Sequence, residues 1–312
     1  GYNYVVFLPT SDASGLFSAK LANERLSLLL GLYEPLQTLL SSTAAAVTSF
    51  TSIGAGVSDK DTLKRKELEK QAVMAQYFEF KHWAFLAEHH SLFKDHDSEA
   101  RTLQRALQVW QKMHESQWYG AGNSMHDPAR EAVELYARLG SLLCIQLVQA
   151  EQGMAALDTS LHLQLTTWQL ALEPLGMAPA AGAGHATTNT RSSSSSTTAA
   201  TSYIPPHALR TLLGTHLSRA SCSMSASASA SASNDDLHAE ARWSLSTLQV
   251  LLKYASDRLV TAETTSTSTD VDVRAEIASI VTEFGEARAQ METQLQLLEM
   301  KAKTQYKKEQ GS

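Results

Sequence analysis

Histidines and acidic residues lie close together in the first third of the chain, and these residue types could bind a metal or transfer protons. Four histidines and two aspartates fall within sixteen residues: His82, His89, His90, His96, Asp95 and Asp97. A zinc site on a helix usually takes two histidines four residues apart, with a further ligand nearby. The sequence has no H-x-x-x-H and no H-E-x-x-H pattern. We therefore predict ordinary core or surface histidines, no metal and no cofactor.

The chain contains only two cysteines, Cys144 and Cys222, and neither belongs to a C-x-x-C pair. Cys144 lies in the apolar stretch SLLCIQL, where it reads as a small core residue. Two cysteines in 312 residues argue against a disulfide-stapled secreted scaffold. They indicate a reducing compartment.

Other catalytic patterns are missing from the sequence as well. It has no G-x-S-x-G nucleophile elbow, and most serines lie in low-complexity tracts that cannot hold a preorganised site. GAGV and GAGN follow no predicted strand and lack the lysine of a phosphate-binding loop. The sequence predicts a protein that is not an enzyme.

The amino-acid composition excludes further classes of protein function. The chain has 43% hydrophobic residues, which is enough for a sizeable core, and a net charge of −6. An acidic balance argues against nucleic-acid binding, which relies on a basic surface. No apolar run approaches the roughly 20 residues that span a bilayer, and no signal peptide is visible. We expect a cytoplasmic protein with at most peripheral membrane contact.

The elements that carry these residues are predicted to be helices. Residues 4–8 read as a short N-terminal strand, and long stretches with 3.6-residue apolar periodicity follow. The predicted helical stretches are 16–50 with Pro35 as a kink or division, 59–92, 100–113, 128–152 with a break at Gly153, 155–172, and three more towards the C-terminus. Polar low-complexity inserts are predicted at about 176–202, 223–234 and 262–270. We predict one all-α domain over 1–312.

The acidic turn reads as the elbow of a helical hairpin. Residues 94–98 reverse the chain, and Ser98 is predicted to cap the next helix. Leu103, Ala106 and Leu107 are then expected to pack back towards Trp83. A single tetratricopeptide hairpin is resembled by five positions together: Trp83, Leu86, Ala87, Leu103 and Ala106.

The order of these stretches resembles the BRO domain, a module of Alix-type adaptors associated with the ESCRT machinery. The resemblance rests on four stretches: AQYFEFKHWAFLAEHHSLF, KDHDSEARTLQRALQVWQKM, LYARLGSLLCIQLVQAEQGM, and IPPHALRTLLGTHLSRA followed by DLHAEARWSLSTLQVLLKYASD. It implies an elongated, curved bundle of long helices with a tetratricopeptide-like core and a short N-terminal strand.

The resemblance also implies a partner and a site. Such modules bind an amphipathic helix of an ESCRT-III subunit in an apolar groove, which would place this chain in endosomal sorting or membrane remodelling. The implied partner-binding residues are Asp95, Asp97, Met154, Leu157, Leu163, Thr167, Leu170 and Ala171. An alternative from the same features is a structural helical-repeat subunit of a larger organellar or cytoskeletal complex.

Overall fold

A computed structural model describes residues 18–51, 59–115, 128–167, 204–229, 235–262 and 268–310. These residues form eight helices and no strand. The helices are α1 (Ala19–Thr51), α2 (Asp59–Leu92), α3 (His96–Glu115), α4 (Pro128–Ile145), α5 (Ala150–Thr167), α6 (Pro206–Ser229), α7 (Asp235–Ala262) and α8 (Ser268–Gln310). The all-α class is confirmed, while the predicted strand at 4–8 lies outside the described residues.

The chain divides into two compact units, Gly1–Leu139 and Gly140–Ser312, with the division inside α4. In the first unit, α2 packs against both α1 and α3. A three-residue connection joins α2 to α3, as in other antiparallel helical hairpins. The predicted single domain over 1–312 stays a prediction.

Burial in the first unit follows the apolar periodicity of the sequence. Phe80 and Ala87 of α2, and Leu103 and Ala106 of α3, are fully buried. Trp83 is only partly buried and packs near Leu29 of α1. The predicted inward face of α3 is confirmed, while Trp83 lies towards α1, where it contacts Tyr33 edge-on.

The second unit has a larger apolar core, built mainly by α6, α7 and α8. Leu212, Leu248 and Ile280 are fully buried members of one cluster that α5 also joins through Leu161 and Leu165. The helix α6 continues to Ser229, so residues 223–229 of the predicted insert are helical. Ser223 and Ser227 are buried there, because small residues allow helices to approach closely.

Two predicted breaks differ from the structure. Pro35 lies inside α1 without dividing it. The break near Gly153 was also wrong: α4 ends at Ile145, α5 begins at Ala150, and Gly153 lies within α5. The insert at about 176–202 lies outside the described residues. None of the described helices has a stretch long and apolar enough to cross a lipid bilayer.

Candidate functional site

The acidic turn is a compact elbow that ends α2 and begins α3. The amide of Asp95 donates to the carbonyl of His90 at 3.0 Å, and the amide of Lys94 donates to that of Ser91 at 3.0 Å. This pair of bonds, with Lys94 at a φ of 57°, is a Schellman C-cap. The turn therefore satisfies the last carbonyl groups of α2 without a glycine.

Asp95 caps the following helix. Its Oδ1 accepts a hydrogen bond from the amide of Ser98 at 3.2 Å. The prediction that Ser98 is the cap was therefore wrong by three residues. Hydrogen bonds from Ser98 hold the pKa of Asp95 below its ordinary value. Asp97 lies in the first turn of α3, where a negative charge is favoured by the helix dipole. Both aspartates are exposed.

The third acid of this stretch, Glu99, has a different surrounding. It is buried, and its Oε1 accepts a hydrogen bond from Nε of Arg138 at 2.7 Å. Arg138 also donates to the carbonyl oxygen of Ala87 at 3.1 Å. The sequence analysis did not single out Glu99, because its partner lies 39 residues away. This ion pair ties α4 to the α2–α3 elbow within the first unit.

The histidines near the elbow differ in their surroundings, although the rings of His89 and His90 lie 5.9 Å apart. His82 is buried and stacks on Tyr33 at 5.0 Å between ring centroids. Burial lowers the pKa of His82 to about 4, so its imidazole is neutral at physiological pH. The rings of His89 and Phe93 contact each other at a tilt of 45°, and Nδ1 of His90 lies 3.5 Å from Oδ2 of Asp95. Within the described ranges, no three histidine, cysteine or acidic side chains are grouped so that they could hold a metal.

Among the described residues of the implied apolar patch on α5, one is buried and two are partly exposed. Leu157 is fully buried in one cluster with Cys144 and Cys222, and Met154 packs against that cluster. The structure therefore places Leu157 in the core, where a partner cannot touch it. Leu163 is half-buried and lies on the side of α5 opposite Met154. Thr167 is the last residue of α5, and Leu170 and Ala171 lie outside the described residues.

The outward stripe of α5 is polar. Exposed positions recur at helical spacing: Glu151, Ala155, Asp158, His162 and Thr166. A groove for an amphipathic helix needs apolar anchors. The exposed face of α5 offers only the small Ala155, so Met154 and Leu163 are the implied patch residues that border it.

A close helix crossing explains why Leu157 is buried. Gly140 of α4 and Gly153 of α5 face each other, and a Cβ built on Gly153 would lie 2.9 Å from the carbonyl oxygen of Gly140. The same Cβ would lie 2.3 Å from the sulfur of Cys144. The two glycines therefore permit an approach that any side chain would prevent.

The two cysteines form a disulfide, Cys144–Cys222, that joins the end of α4 to α6. The prediction that Cys144 is a core residue is confirmed by its burial, whereas its pairing with Cys222 was not predicted. Neither cysteine remains free. The pairing spans 78 residues of sequence, so no local pattern predicted it.

A polar network lies between α5, α6 and α7. The buried guanidinium of Arg219 has its Nε 3.0 Å from Oδ1 of Asp158 and an Nη 3.3 Å from Oε1 of Glu240. It also lies over the ring of Trp243, 4.8 Å from the centroid. Burial, with the nearby Arg219 charge, lowers the pKa of His216 to about 3. Every partner of Arg219 here is a side chain of the same unit, which indicates a role in packing.

Exposed large apolar side chains lie on several of the described helices, and three of them, Leu28, Leu30 and Leu39, are on α1. Leu28 is 45% exposed, Leu39 is 42% exposed, and Pro35 is exposed between them. A Cβ on Gly31 would meet nothing within 4 Å. These four residues lie at i, i+3, i+7 and i+11, so they share one stripe of the helix. We call Leu28, Gly31, Pro35 and Leu39 the α1 stripe.

A basic surface occupies the start of α2. An open depression of about 430 Å³ is lined by Leu63, Lys64, Lys66, Glu67 and Lys70. All five residues belong to one helix, and Glu67 lies among the lysines. The sequence analysis did not single out Leu63 or the α1 stripe, because apolar residues on a helix read as core until the packing is known.

No protein-family model, curated protein or solved structure matches this chain.

Proposed function

We propose that this chain is a non-catalytic helical adaptor that binds an amphipathic helix of a partner protein. The α1 stripe is the single observation that carries this proposal. It leaves two large leucines, Leu28 and Leu39, 45% and 42% exposed on a helix whose other side packs on α2. Burying such side chains against a partner is favourable by roughly 25 cal/mol per Å² of apolar area.

The geometry of the α1 stripe favours a helix as the occupant. The stripe runs over eleven residue steps, which is about 16 Å of helix at 1.5 Å per residue. Gly31 leaves a gap on the stripe, since nothing lies near the position of its missing Cβ. A side chain on a partner helix can enter such a gap, as a knob enters a hole in coiled-coil packing. A partner helix on the α1 stripe would pack on α1 as neighbouring helices of a bundle pack on each other.

The resemblance to the BRO domain supplies the proposed identity of the partner. An amphipathic helix of an ESCRT-III subunit is the candidate, with a role in endosomal sorting or membrane remodelling. The tetratricopeptide-like core, the short N-terminal strand and the curved bundle belong to the same proposal. So does a cytoplasmic location with peripheral association with endosomal membranes.

The resemblance implies a second docking face, around Met154 and Leu163 on α5. The outward stripe of α5 is polar and Leu157 is buried. This face therefore suits an amphipathic helix less well than the α1 stripe does. The acidic turn contributes Asp95 and Asp97, whose exposed carboxylates suit basic residues beside the apolar face of a partner helix. Substitutions on α1 and on α5 can therefore test the two faces separately.

Titration of the purified chain with a fluorescently labelled ESCRT-III C-terminal helix tests the proposal. We expect saturable binding that the double variant Leu28→Asp/Leu39→Asp weakens at least about tenfold, because charges would then lie in the apolar contact. The matched control is Ser27→Asp/Thr38→Asp, which changes exposed polar neighbours on the same helix. Binding lost only in Met154→Asp or Leu163→Asp would move the site to α5.

Absence of saturable binding by the wild-type chain would count against the adaptor. It would leave the second candidate, a structural subunit of a larger complex. Exposed apolar residues in the second unit, Leu297 and Met300 on α8, favour that candidate. It predicts that the chain co-purifies with other proteins in a stable, stoichiometric complex, whereas an adaptor would exchange partners.

A further inference from the structure

The disulfide lies in the interior of the second unit. Cys144 is 2% exposed and Cys222 is fully buried. Leu157 belongs to the same cluster, and Ala150 and Met154 pack against it. Apolar side chains of α5 therefore cover both sulfur atoms.

The surrounding packing leaves little space at the sulfur of Cys144. Gly153 approaches so closely that an added Cβ would lie 2.3 Å from that sulfur. A thiolate that reduces a disulfide must reach one of its sulfur atoms. In the folded chain, α5 blocks this approach, so reduction requires the second unit to open.

We propose that Cys144–Cys222 is a permanent structural crosslink and that the chain folds in a compartment where thiols are oxidised. Buried disulfides resist cellular thiols, whereas the labile, regulatory ones are strained or exposed. Such structural disulfides form and persist in oxidising compartments and are rare in the cytosol. Both cysteines of the chain are used in this one bond.

Forming the crosslink requires an oxidising disulfide as co-reactant, either glutathione disulfide or the disulfide of a thiol oxidoreductase. The thiolate of one cysteine attacks that disulfide and forms a mixed disulfide, releasing one thiol. The second cysteine thiolate then displaces the other half and closes the Cys144–Cys222 bond. The two cysteines lose two electrons and two protons in total, and the co-reactant becomes two thiols. This exchange must precede the closure of α5 over the sulfur atoms.

This inference replaces the expectation of a reducing compartment, which was drawn from the number of cysteines alone. Its observations, the pairing and burial of the sulfur atoms, do not involve the α1 stripe, but its conclusion opposes the cytoplasmic location proposed above. It does bear on location, since a permanent crosslink points away from the cytoplasm. The second candidate function, a subunit of an organellar complex, is compatible with it.

Thiol trapping in the native cells tests the proposal. Cells are quenched with acid, the unfolded chain is alkylated before and after reduction, and its mass is measured. We expect no alkylation before reduction and two alkyl groups afterwards. A chain that carries two alkyl groups before any reduction would overturn the proposal, because its thiols would then be free in the cell.

Glutathione reduction of the purified full chain provides a second measurement. We expect native protein to be reduced at least about a hundredfold more slowly than urea-unfolded protein, because the sulfur atoms are reached only through rare opening. Equal rates would contradict a shielded structural crosslink. The Cys144→Ala/Cys222→Ala variant controls for other effects of the reductant on the fold. These readouts use no partner helix, so failure of the adaptor proposal would not alter them.

Discussion

The elbow between α2 and α3 and the elbow between α4 and α5 each contain one residue other than glycine with a positive φ. Lys94 in the first elbow has a φ of 57°, and Val148 in the second has a φ of 54°. The left-handed region is costly for any residue with a Cβ, and more so for a β-branched one such as valine. The two elbows differ in the interactions that offset this cost.

Polar side chains stabilise the first elbow. Asp95 caps α3, and Arg138 pairs with the buried Glu99 one turn later. The second elbow lies beside a glycine crossing and a disulfide. Turns that share a positive φ can therefore be stabilised by charge and hydrogen bonding, or by close packing and a covalent bond.

Removal of the disulfide has the largest expected effect. Cys144→Ala/Cys222→Ala should lower the free energy of unfolding of the second unit by about 4 kcal/mol, because the crosslink restricts a long loop in the unfolded chain. Urea unfolding measures the loss, and hydrogen exchange locates it. Protection of amides in α2 and α3 should stay unchanged. A loss below about 1 kcal/mol would contradict the model of loop-closure entropy behind this value.

Gly153→Ala should destabilise the second unit by about 3 kcal/mol, because the added methyl overlaps the sulfur of Cys144 and nearby backbone atoms. Thermal unfolding compared with wild type gives the measurement. Gly285→Ala on α8 is the matched control, since its Cβ would meet nothing within 4 Å. That control should gain up to about 1 kcal/mol from helix propensity. If both variants lost the same stability, the crossing would not be the cause.

Arg138→Ala should lower the free energy of unfolding of the first unit by about 2 kcal/mol, because it leaves the carboxylate of Glu99 buried without its partner. Chemical unfolding of the purified variant measures the change. Arg210→Ala is the control: its pair with Glu283 is exposed, so its effect should stay within about 0.5 kcal/mol. A neutral result for Arg138→Ala would mean that water or His96 replaces the guanidinium.

Val148→Gly should stabilise the second unit by about 1 kcal/mol, because glycine adopts a positive φ without a steric cost. Lys94→Gly should give a smaller gain in the first unit, since lysine is not branched at Cβ. Melting temperatures of the two variants test this difference directly. A larger gain from Lys94→Gly would reverse the ranking of strain at the two elbows.

Acid should destabilise the first elbow, because protonation of Asp95 weakens its N-cap of α3. The second elbow has no such carboxylate cap among its described hydrogen bonds. The pKa of Asp95 is lowered from 3.8 by its hydrogen bonds in the folded chain. Its stabilising effect is therefore complete above pH 3.8 and is lost as the pH falls through the folded-state pKa. Asp95→Asn retains a capping oxygen that does not titrate. The stability difference between wild type and Asp95→Asn should change below pH 4, whereas a constant difference would exclude the cap as its origin.

Local patterns predicted the first elbow well. The predicted helix over 59–92 matches Asp59–Leu92, because a charged start, a broad apolar face and an acidic turn all lie close together in sequence. The cap was assigned to Ser98 instead of Asp95, an error of three residues. Both are good capping residues, and only the backbone geometry distinguishes them.

The second elbow was predicted poorly for a physical reason. Gly153 read as a break, but glycine also permits close approach between helices, and the sequence does not distinguish these roles. Met154 and Leu157 read as a partner surface from the resemblance. Whether an apolar helical residue lies on the surface or in the core depends on the neighbouring helix. Leu157 is covered by α4 and α6, which the Cys144–Cys222 bond joins.

The sequence by itself determined the all-α class, the start and end of α2, and the inward face of α3, because capping and periodicity act over a few residues. Only the tertiary structure decided which leucines remain exposed on α1, that Arg138 pairs with Glu99, and that Cys144 meets Cys222. Those outcomes join residues that are distant in the chain. They depend on how folded helices pack, and apolar periodicity is the same whether a stripe faces the core or a partner.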